Sequence, residues 1–196
     1  MSKVYFITHP AVTIEPDVPI TDWSLSEQGM IRMREMLNQP WIHSIGYLFS
    51  SCEKKAIDGA QVLAQHLNLD STPIAELGEN DRSSTGYLPA AEFEATADAF
   101  FENYEDSIDG WETAIDAQKR IVQAVKSLLE STSNEGSIGI VSHGAVGTLL
   151  LCRLNGWQIS RQHDQPGGSG GNFFVFDRHT LEVDQGWQPV DEVSAL

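Results

Sequence analysis

The chain has 196 residues, of which 41% are hydrophobic, and it carries 28 Asp plus Glu against 12 Lys plus Arg, a formal net charge of −16. This length fits one domain spanning residues 1–196, and the acidic balance argues against nucleic acid or a membrane surface as a partner, because both need a basic footprint. The sequence has no signal-peptide pattern and no apolar run approaching about 18 residues, so we expect a cytoplasmic protein.

The start of the chain predicts a strand, a loop and a helix. An apolar run over residues 4–8 indicates a strand that ends at His9. The segment from Pro10 to Asp22 is irregular and long enough to cover a site as a lid. Ser24-Leu25-Ser26-Glu27 has the order of a capping box, and the apolar spacing after it predicts a helix through about Asn38.

The remaining elements continue this alternation of strands and helices. We expect strands at residues 47–50, 137–142 and 172–176, and helices from about Cys52 to Leu67, from Trp111 to Leu129 and from Ala145 to Leu154. The polar stretch 77–110 predicts loops with one or two short helices, inserted beside the sheet. This order is typical of an α/β protein, a three-layer α/β/α sandwich with a mostly parallel central sheet.

Two histidines follow two of the predicted strands directly: His9 follows residues 4–8, and His143 follows residues 137–142. Ligands of open α/β sheets bind outside the carboxyl ends of the strands, so these two side chains are expected to face one site. The alternative for each histidine is a loop residue whose ring is hydrogen-bonded to the backbone.

Other recognisable motifs are weak or absent. Residues 167–171 formally match the G-x-S-x-G nucleophile elbow, but they follow a polar run and precede a strand, whereas the elbow lies between a strand and a helix. The sequence contains no phosphate-binding loop and no dinucleotide fingerprint, and its histidines and cysteines lack metal-ligand spacing. We therefore expect no metal and no cofactor.

Four short motifs, taken in order, resemble those of the histidine phosphatase superfamily, which includes the phosphoglycerate mutases. The family's Arg-His-Gly is matched by Thr8-His9-Pro10, its Ser-x-x-x-Arg-Ala by residues 51–56, its Leu-x-Glu by Leu77-Gly78-Glu79 and its Ser-His-Gly by Ser142-His143-Gly144. The motifs extend over nearly the whole chain. The resemblance implies a phosphoglycerate mutase-like fold.

The resemblance also implies a mechanism and a set of site residues. His9 would attack phosphorus, His143 would hydrogen-bond the phosphoryl oxygens, and Glu79 would protonate the leaving oxygen, with Glu76 and Asp81 as alternative donors. The residues that would contact the substrate phosphate are Thr8, Lys55, Ser142 and Gly144.

This chain departs from the family pattern where phosphate is bound. Thr8 replaces the first arginine, Lys55 replaces the second, and Pro10 replaces the glycine. Two planar phosphate clamps are therefore missing, since lysine supplies charge without a bidentate fork. We hypothesise that Arg82, in the 77–110 insert, reaches the phosphate and restores this charge. The alternative is a surface ion pair of Arg82 with Asp81 or another carboxylate.

The leading functional hypothesis is a metal-independent phosphatase that acts on a small phosphorylated metabolite or a phosphoprotein through a phosphohistidine. The alternative is a family member with impaired catalysis that binds an anion or a protein, which the loss of both arginines supports. A mutase-type phosphotransferase is a second alternative, which the scarcity of positive charge disfavours. The sequence specifies neither the substrate nor the oligomeric state.

Overall fold

A six-stranded sheet forms the centre of the protein in the computed structural model, which describes residues 2–133 and 135–193. The strands are β1 (Lys3–Thr8), β2 (Ile45–Ser50), β3 (Ser71–Pro73), β4 (Ser137–Ser142), β5 (Asn172–Asp177) and β6 (Val183–Pro189). Their order across the sheet is β3-β2-β4-β1-β5-β6. The pairs from β3 to β1 are parallel, and β5 runs antiparallel to both of its neighbours.

Helices cover both faces of this sheet, so the predicted α/β/α sandwich is confirmed. They are α1 (Glu27–Glu35), α2 (Lys54–Leu67), α3 (Ala90–Glu102), α4 (Ala114–Ser131) and α5 (Gly144–Asn155). Buried side chains of α3, α4 and α5 pack in one hydrophobic core, and those of α1 and α2 pack in a second. The single helix α3 and the loops around it form the predicted insert.

The central pair β1 and β4 positions the two strand-end histidines. The strands run parallel with Thr8 opposite Ser142, and the His9 N–H donates to the carbonyl of Ser142 at 3.1 Å. β2 lies on the other side of β4, where the Ser51 N–H donates to the Val141 carbonyl at 3.0 Å. The carboxyl ends of three adjacent strands therefore meet at one edge, and two of them are the strands that the sequence analysis places before His9 and His143.

Several predicted helix starts are wrong by two or three residues because a different residue caps the helix. Ser26, and not Ser24, is the N-cap of α1, since its hydroxyl accepts the Gly29 N–H at 3.1 Å. α4 begins at Ala114 rather than Trp111, because Thr113 is its N-cap and the Thr113 hydroxyl accepts the Asp116 N–H at 3.2 Å. At other boundaries, α2 begins at Lys54 rather than Cys52, β2 begins at Ile45 rather than Tyr47, and α1 ends at Glu35 before a 3-10 turn over Met36–Asn38.

The edge strands β3 and β6 are absent from the sequence prediction. β3 has only three residues and includes Pro73, and β6 has irregular register against β5. Short strands with a proline or polar residues lack the apolar periodicity on which the prediction depends.

Candidate active site

His9 presents one ring nitrogen to the site and uses the other for orientation. The two histidine rings lie edge to face with centroids 5.1 Å apart. His9 Nδ1 lies 2.8 Å from the Pro10 carbonyl oxygen, so Nδ1–H donates and Nε2 keeps its lone pair. Burial, followed by the positive charge of Lys55, lowers the pKa of His9 to about 4. The ring is therefore neutral at pH 7 and can act as a nucleophile through Nε2.

His143 is fully buried at the end of β4 and N-caps α5. Its Nε2 lies 2.7 Å from Ser51 Oγ and 3.2 Å from Glu53 Oε1. Its Nδ1 has no hydrogen-bond partner in the described part of the chain. Burial holds the pKa of His143 well below its usual range. A buried ring nitrogen without a partner, beside the proposed nucleophile, is suited to contact a substrate oxygen.

Glu79 places its carboxylate on the N-terminus of α5. Its two oxygens accept the N–H groups of Ala145 at 3.1 Å and Val146 at 3.0 Å. Burial raises the pKa of Glu79, and the charge of Glu53 adds to this rise. A carboxyl group with a raised pKa in such a position is suited to donate a proton.

The two alternative proton donors lie away from this position. Glu76 and Asp81 are exposed, and Asp81 Oδ1 accepts the Ser83 N–H at 2.9 Å within its own turn. Among the three candidates, the structure brings only Glu79 to the helix that begins beside His143. Geometry therefore favours Glu79 as the donor.

The loop that carries Glu79 is held by Arg120 of α4, a residue that the sequence analysis does not single out. The Arg120 guanidinium donates to the carbonyls of Glu76 and Gly78, both at 2.9 Å, and to that of Glu79 at 3.1 Å. The Glu112 carboxylate pairs with its Nε and Nη2 atoms at 2.9 and 2.7 Å. Arg120 therefore fixes the backbone from which Glu79 reaches α5.

Lys55 lies in the site, but its charge is already paired. The side chain is 4% exposed, and Nζ lies 2.6 Å from Glu53 Oε2 and donates to the Ile20 carbonyl at 2.8 Å. The other oxygen of Glu53 accepts the Glu79 N–H at 2.9 Å. Burial alone would raise the pKa of Glu53, but His143 and the Lys55 ammonium lower it to about 2. The ionised Glu53 thus reduces the charge that Lys55 offers to a phosphate.

A family model described as the histidine phosphatase superfamily, branch 1, matches residues 9–171, which is most of the chain. The chain belongs to the histidine phosphatase superfamily. A search of curated proteins found no matching sequence.

Solved structures with the same fold include phosphatases. A mycobacterial glucosyl-3-phosphoglycerate phosphatase with inorganic phosphate superposes with a TM-score of 0.78 at 17% identity, covering 98% of this chain and 100% of its own. Bacillus stearothermophilus YhfR superposes with a TM-score of 0.76 at 17% identity, covering 99% of this chain and 98% of its own. The Shigella flexneri alpha-ribazole phosphatase gives 0.73 at 16%, covering 99% of each chain. At these identities the likeness establishes the fold.

Two hydroxyls that the sequence analysis assigned to phosphate binding are used inside this histidine phosphatase fold instead. Thr8 is fully buried, and its Oγ1 donates to Gln165 Oε1 at 2.6 Å. Ser142 is also fully buried, and its Oγ donates to the Leu77 carbonyl at 2.7 Å. Each hydroxyl has one hydrogen and donates it within the protein, so these hydrogen bonds do not support phosphate contacts by Thr8 and Ser142, which stay a prediction.

Gly144 fits its predicted position at the phosphate site better than the two hydroxyls do. It is the first residue of α5, directly after His143. Its N–H has no hydrogen-bond partner among residues 2–133 and 135–193, whereas the next two amides bind Glu79. A free amide at a helix N-terminus is a ready donor to an anion.

Arg82 lies near the site without an ion pair in the described structure. Its guanidinium carbon lies 4.9 Å from the centroid of the Phe93 ring. Burial is the main cause of the lowered pKa of His9, and the charge of Arg82 lowers it further. Within the described ranges, no carboxylate, including that of Asp81, forms a salt bridge with Arg82. The guanidinium is therefore available to an anion.

The described part of the chain contains no group of three or more His, Cys, Asp or Glu side chains arranged to hold a metal ion. None of its helices combines the length and apolar character that crossing a membrane requires.

Proposed function

We propose that this histidine phosphatase superfamily member hydrolyses a phosphomonoester through a phosphohistidine on His9, without a metal ion. The observation that carries the proposal is the state of the His9 ring. Its Nδ1–H donates to the Pro10 carbonyl at 2.8 Å, which leaves Nε2 as the neutral nucleophile. The centre of this ring lies 5.1 Å from the centre of the His143 ring.

The first step transfers the phosphoryl group to the enzyme. His9 Nε2 forms a bond to phosphorus while the bond from phosphorus to the ester oxygen breaks. Glu79, whose pKa is raised by burial, acts as the general acid and gives a proton to the leaving alkoxide. The alcohol then departs, and the phosphoryl group stays on His9.

The second step regenerates the enzyme. Water attacks phosphorus, the bond to His9 Nε2 breaks, and the Glu79 carboxylate takes the proton of the attacking water. Inorganic phosphate leaves, and His9 and Glu79 return to their starting protonation states. Gly144 N–H, His143 and Arg82 stabilise the charge on the equatorial oxygens in both steps.

The substrate is proposed to be a small phosphorylated metabolite or a phosphoprotein. The pairing of Lys55 with Glu53 leaves Arg82 as the nearest unpaired cation in the described site. A site with so little net positive charge suits one phosphoryl group better than two. This favours hydrolysis over a mutase reaction, in which a diphosphorylated intermediate must be held.

A second candidate is a family member that binds anions without turnover. The specific observation in its favour is the same Lys55–Glu53 ion pair, which replaces a bidentate arginine with a neutralised lysine. Under this hypothesis the site would bind phosphate but release none from an ester.

Phosphate release from a panel of aryl and alkyl phosphates in EDTA tests the proposal. We expect turnover in the wild type and its loss in His9→Ala. His66→Ala, at an exposed histidine of α2, is the matched control. Quenching with alkaline detergent, using substrate labelled in the phosphoryl group, should trap base-stable, acid-labile phosphate on the wild type and on His66→Ala but not on His9→Ala. Full activity of His9→Ala would exclude the covalent scheme, and an inactive wild type that binds phosphate would favour the second candidate.

A further inference from the structure

We propose that Gln165 is a phosphoryl-binding residue, which donates from its side-chain amide the hydrogen bonds that threonine at position 8 does not supply. The inference rests on the proposed function, since it adds a group around the same phosphoryl. It comes from the juxtaposition of Thr8, Gln165 and Gly144 at the carboxyl ends of β1 and β4.

Two donors point to the side-chain oxygen of Gln165. Gln165 Oε1 accepts the Thr8 hydroxyl at 2.6 Å and the Asn172 side-chain amide at 3.1 Å. In this arrangement the carbonyl oxygen of Gln165 faces Thr8 and Asn172, and the other end of the amide is the NH2 group. This Nε2 has no hydrogen-bond partner in the described structure, and its two hydrogens are free to donate.

The free end of this amide lies against the N-terminus of α5. A Cβ atom added to Gly144 would be 2.3 Å from Gln165 Nε2, so the amide would have to move if residue 144 carried a side chain. The Gly144 N–H has no hydrogen-bond partner among the described residues, and His143 directly precedes it. Gln165 Nε2 therefore lies beside the helix amide that we expect to contact the phosphoryl group.

The backbone of Gln165 is tied to the same helix. Its N–H donates to Asp164 Oδ1 at 2.7 Å, and that oxygen also accepts the Thr148 hydroxyl of α5 at 2.8 Å. The side chain is thus held at its oxygen by β1 and β5 and at its backbone by α5. Donors fixed before the substrate arrives stabilise developing charge without reorganisation.

The loss of an arginine at position 8 and the position of Gln165 are structurally linked. Because Thr8 Oγ1 lies 2.6 Å from Gln165 Oε1, a longer side chain that left position 8 in this direction would collide with the amide. An amide also supplies two donors without charge. It therefore complements a site in which Glu53 already offsets Lys55.

Three variants test this assignment. Gln165→Glu keeps the size of the side chain and an oxygen for Thr8 and Asn172, but it replaces the donors with an anion. Gln165→Met keeps the length and removes the donors without adding charge. Gln162→Glu adds the same charge to an exposed position of the same loop and is the matched control.

The readouts are the dissociation constants of inorganic phosphate and orthovanadate by calorimetry, and kcat/KM with an aryl phosphate. We expect Gln165→Glu to weaken phosphate binding by at least about tenfold and Gln165→Met by about threefold to tenfold, the scale of the net contribution of one ordinary hydrogen bond. Gln162→Glu should bind like the wild type. Unchanged binding in Gln165→Glu, or an equal loss in Gln162→Glu, would overturn the assignment.

The two readouts separate this inference from the proposed reaction. If the wild type binds phosphate in a Gln165-dependent manner but hydrolyses no ester, the reaction is wrong and the assignment holds. If the wild type hydrolyses esters and both Gln165 variants match it in binding and kcat/KM, the assignment is wrong and the reaction holds. A wild type that neither binds phosphate nor turns over contradicts both.

Discussion

The proton-donor side of the candidate site and its phosphate side differ in how their polar groups are used. On the donor side, Glu79 accepts two amides of α5, and its loop is fixed by Arg120. On the phosphate side, Lys55 is paired with Glu53 at 2.6 Å, and the Thr8 hydroxyl is directed to an internal partner. The donor side is complete without a ligand, whereas the phosphate side depends on neutral donors and one unpaired arginine.

This difference suggests which part of the reaction the fold supports most strongly. A positioned carboxylic acid lowers the barrier most when the leaving group is a poor one, because such a group needs a proton to depart. Binding of a dianionic phosphate depends instead on fixed positive charge, which is scarce here. We therefore expect leaving-group protonation to be strong and ground-state phosphate affinity to be modest.

Glu79→Gln is expected to have the largest effect among the variants below. For an alkyl phosphate, kcat/KM should fall by about 10² to 10⁴, the usual contribution of general acid catalysis. For 4-nitrophenyl phosphate the loss should be much smaller, since that leaving group departs without a proton. Glu76→Gln, at an exposed position of the same loop, is the control. Equal losses on both substrates would argue against Glu79 as the donor.

The pH profile of kcat/KM provides an independent check on the same variant. His9 is neutral above its lowered pKa of about 4, so activity should rise as the pH increases through that value. Glu79 must be protonated, so activity should fall again as the pH passes its raised pKa. We expect Glu79→Gln to lose the basic limb and keep the acidic one. A basic limb that persists in the variant would assign it to another group.

Arg82→Ala is expected to have the next largest effect, on the phosphate side. Removal of one donor aimed at developing charge typically costs about 10² to 10³ in rate, and we expect about 10² for this partly buried guanidinium. Phe93→Leu, which removes only the ring beside it, should cost much less. Steady-state kinetics on one aryl phosphate would measure both. An Arg82→Ala variant with wild-type kcat/KM would remove Arg82 from the phosphate site.

Arg120→Lys should reduce kcat by about tenfold with little change in KM. Lysine keeps the charge beside Glu112 but lacks the fork that holds three carbonyls of the Glu79 loop. Arg120 is a positioning residue, so the loss should be greater for alkyl than for aryl phosphates, as for Glu79→Gln. Lys119→Gln, one residue earlier and exposed, is the control. A uniform loss across leaving groups would indicate general destabilisation instead.

The general position of the site could be predicted from the sequence because it depends on contiguous runs of residues. Apolar stretches before His9 and His143 indicate strands, and parallel neighbours bring their carboxyl ends together. The edge strands β3 and β6 were missed, since three residues with a proline, or an irregular strand with polar positions, carry no such pattern.

The chemistry of individual side chains was predicted less well, because it depends on partners that are distant in sequence. Thr8 and Ser142 were correctly placed at strand ends, but their hydroxyls bond Gln165 and the Leu77 carbonyl, 157 and 65 residues away. Glu53 stands inside a motif that the sequence analysis used, and an acidic residue two positions before Lys55 was the available signal. Gln165 lies in a loop without periodicity and gave no signal.

Glu53→Gln should have the smallest effect of these variants, and it should strengthen phosphate binding, whereas the other variants reduce activity. The neutral isostere keeps an oxygen for the Glu79 amide but no longer neutralises Lys55, so the ammonium becomes available to an anion. We expect inorganic phosphate to bind about threefold to tenfold more tightly, as one partly screened charge at short range would allow. Glu76→Gln again serves as the control, and calorimetry can measure the dissociation constant of inorganic phosphate for both variants.

The stability of the protein at acid pH shows whether the tighter phosphate binding comes from loss of the Lys55–Glu53 ion pair. The folded-state pKa of Glu53 is about 2, below its usual value of 4.5, so its contribution to stability is present above pH 4.5 and is lost as the pH falls towards 2. The stability difference between wild type and Glu53→Gln in urea should therefore be largest near neutrality and narrow in that window. Unchanged or weaker phosphate binding by a variant that shows this narrowing would mean that Lys55 does not reach the substrate, and the phosphate side would then depend on Arg82 and neutral donors alone.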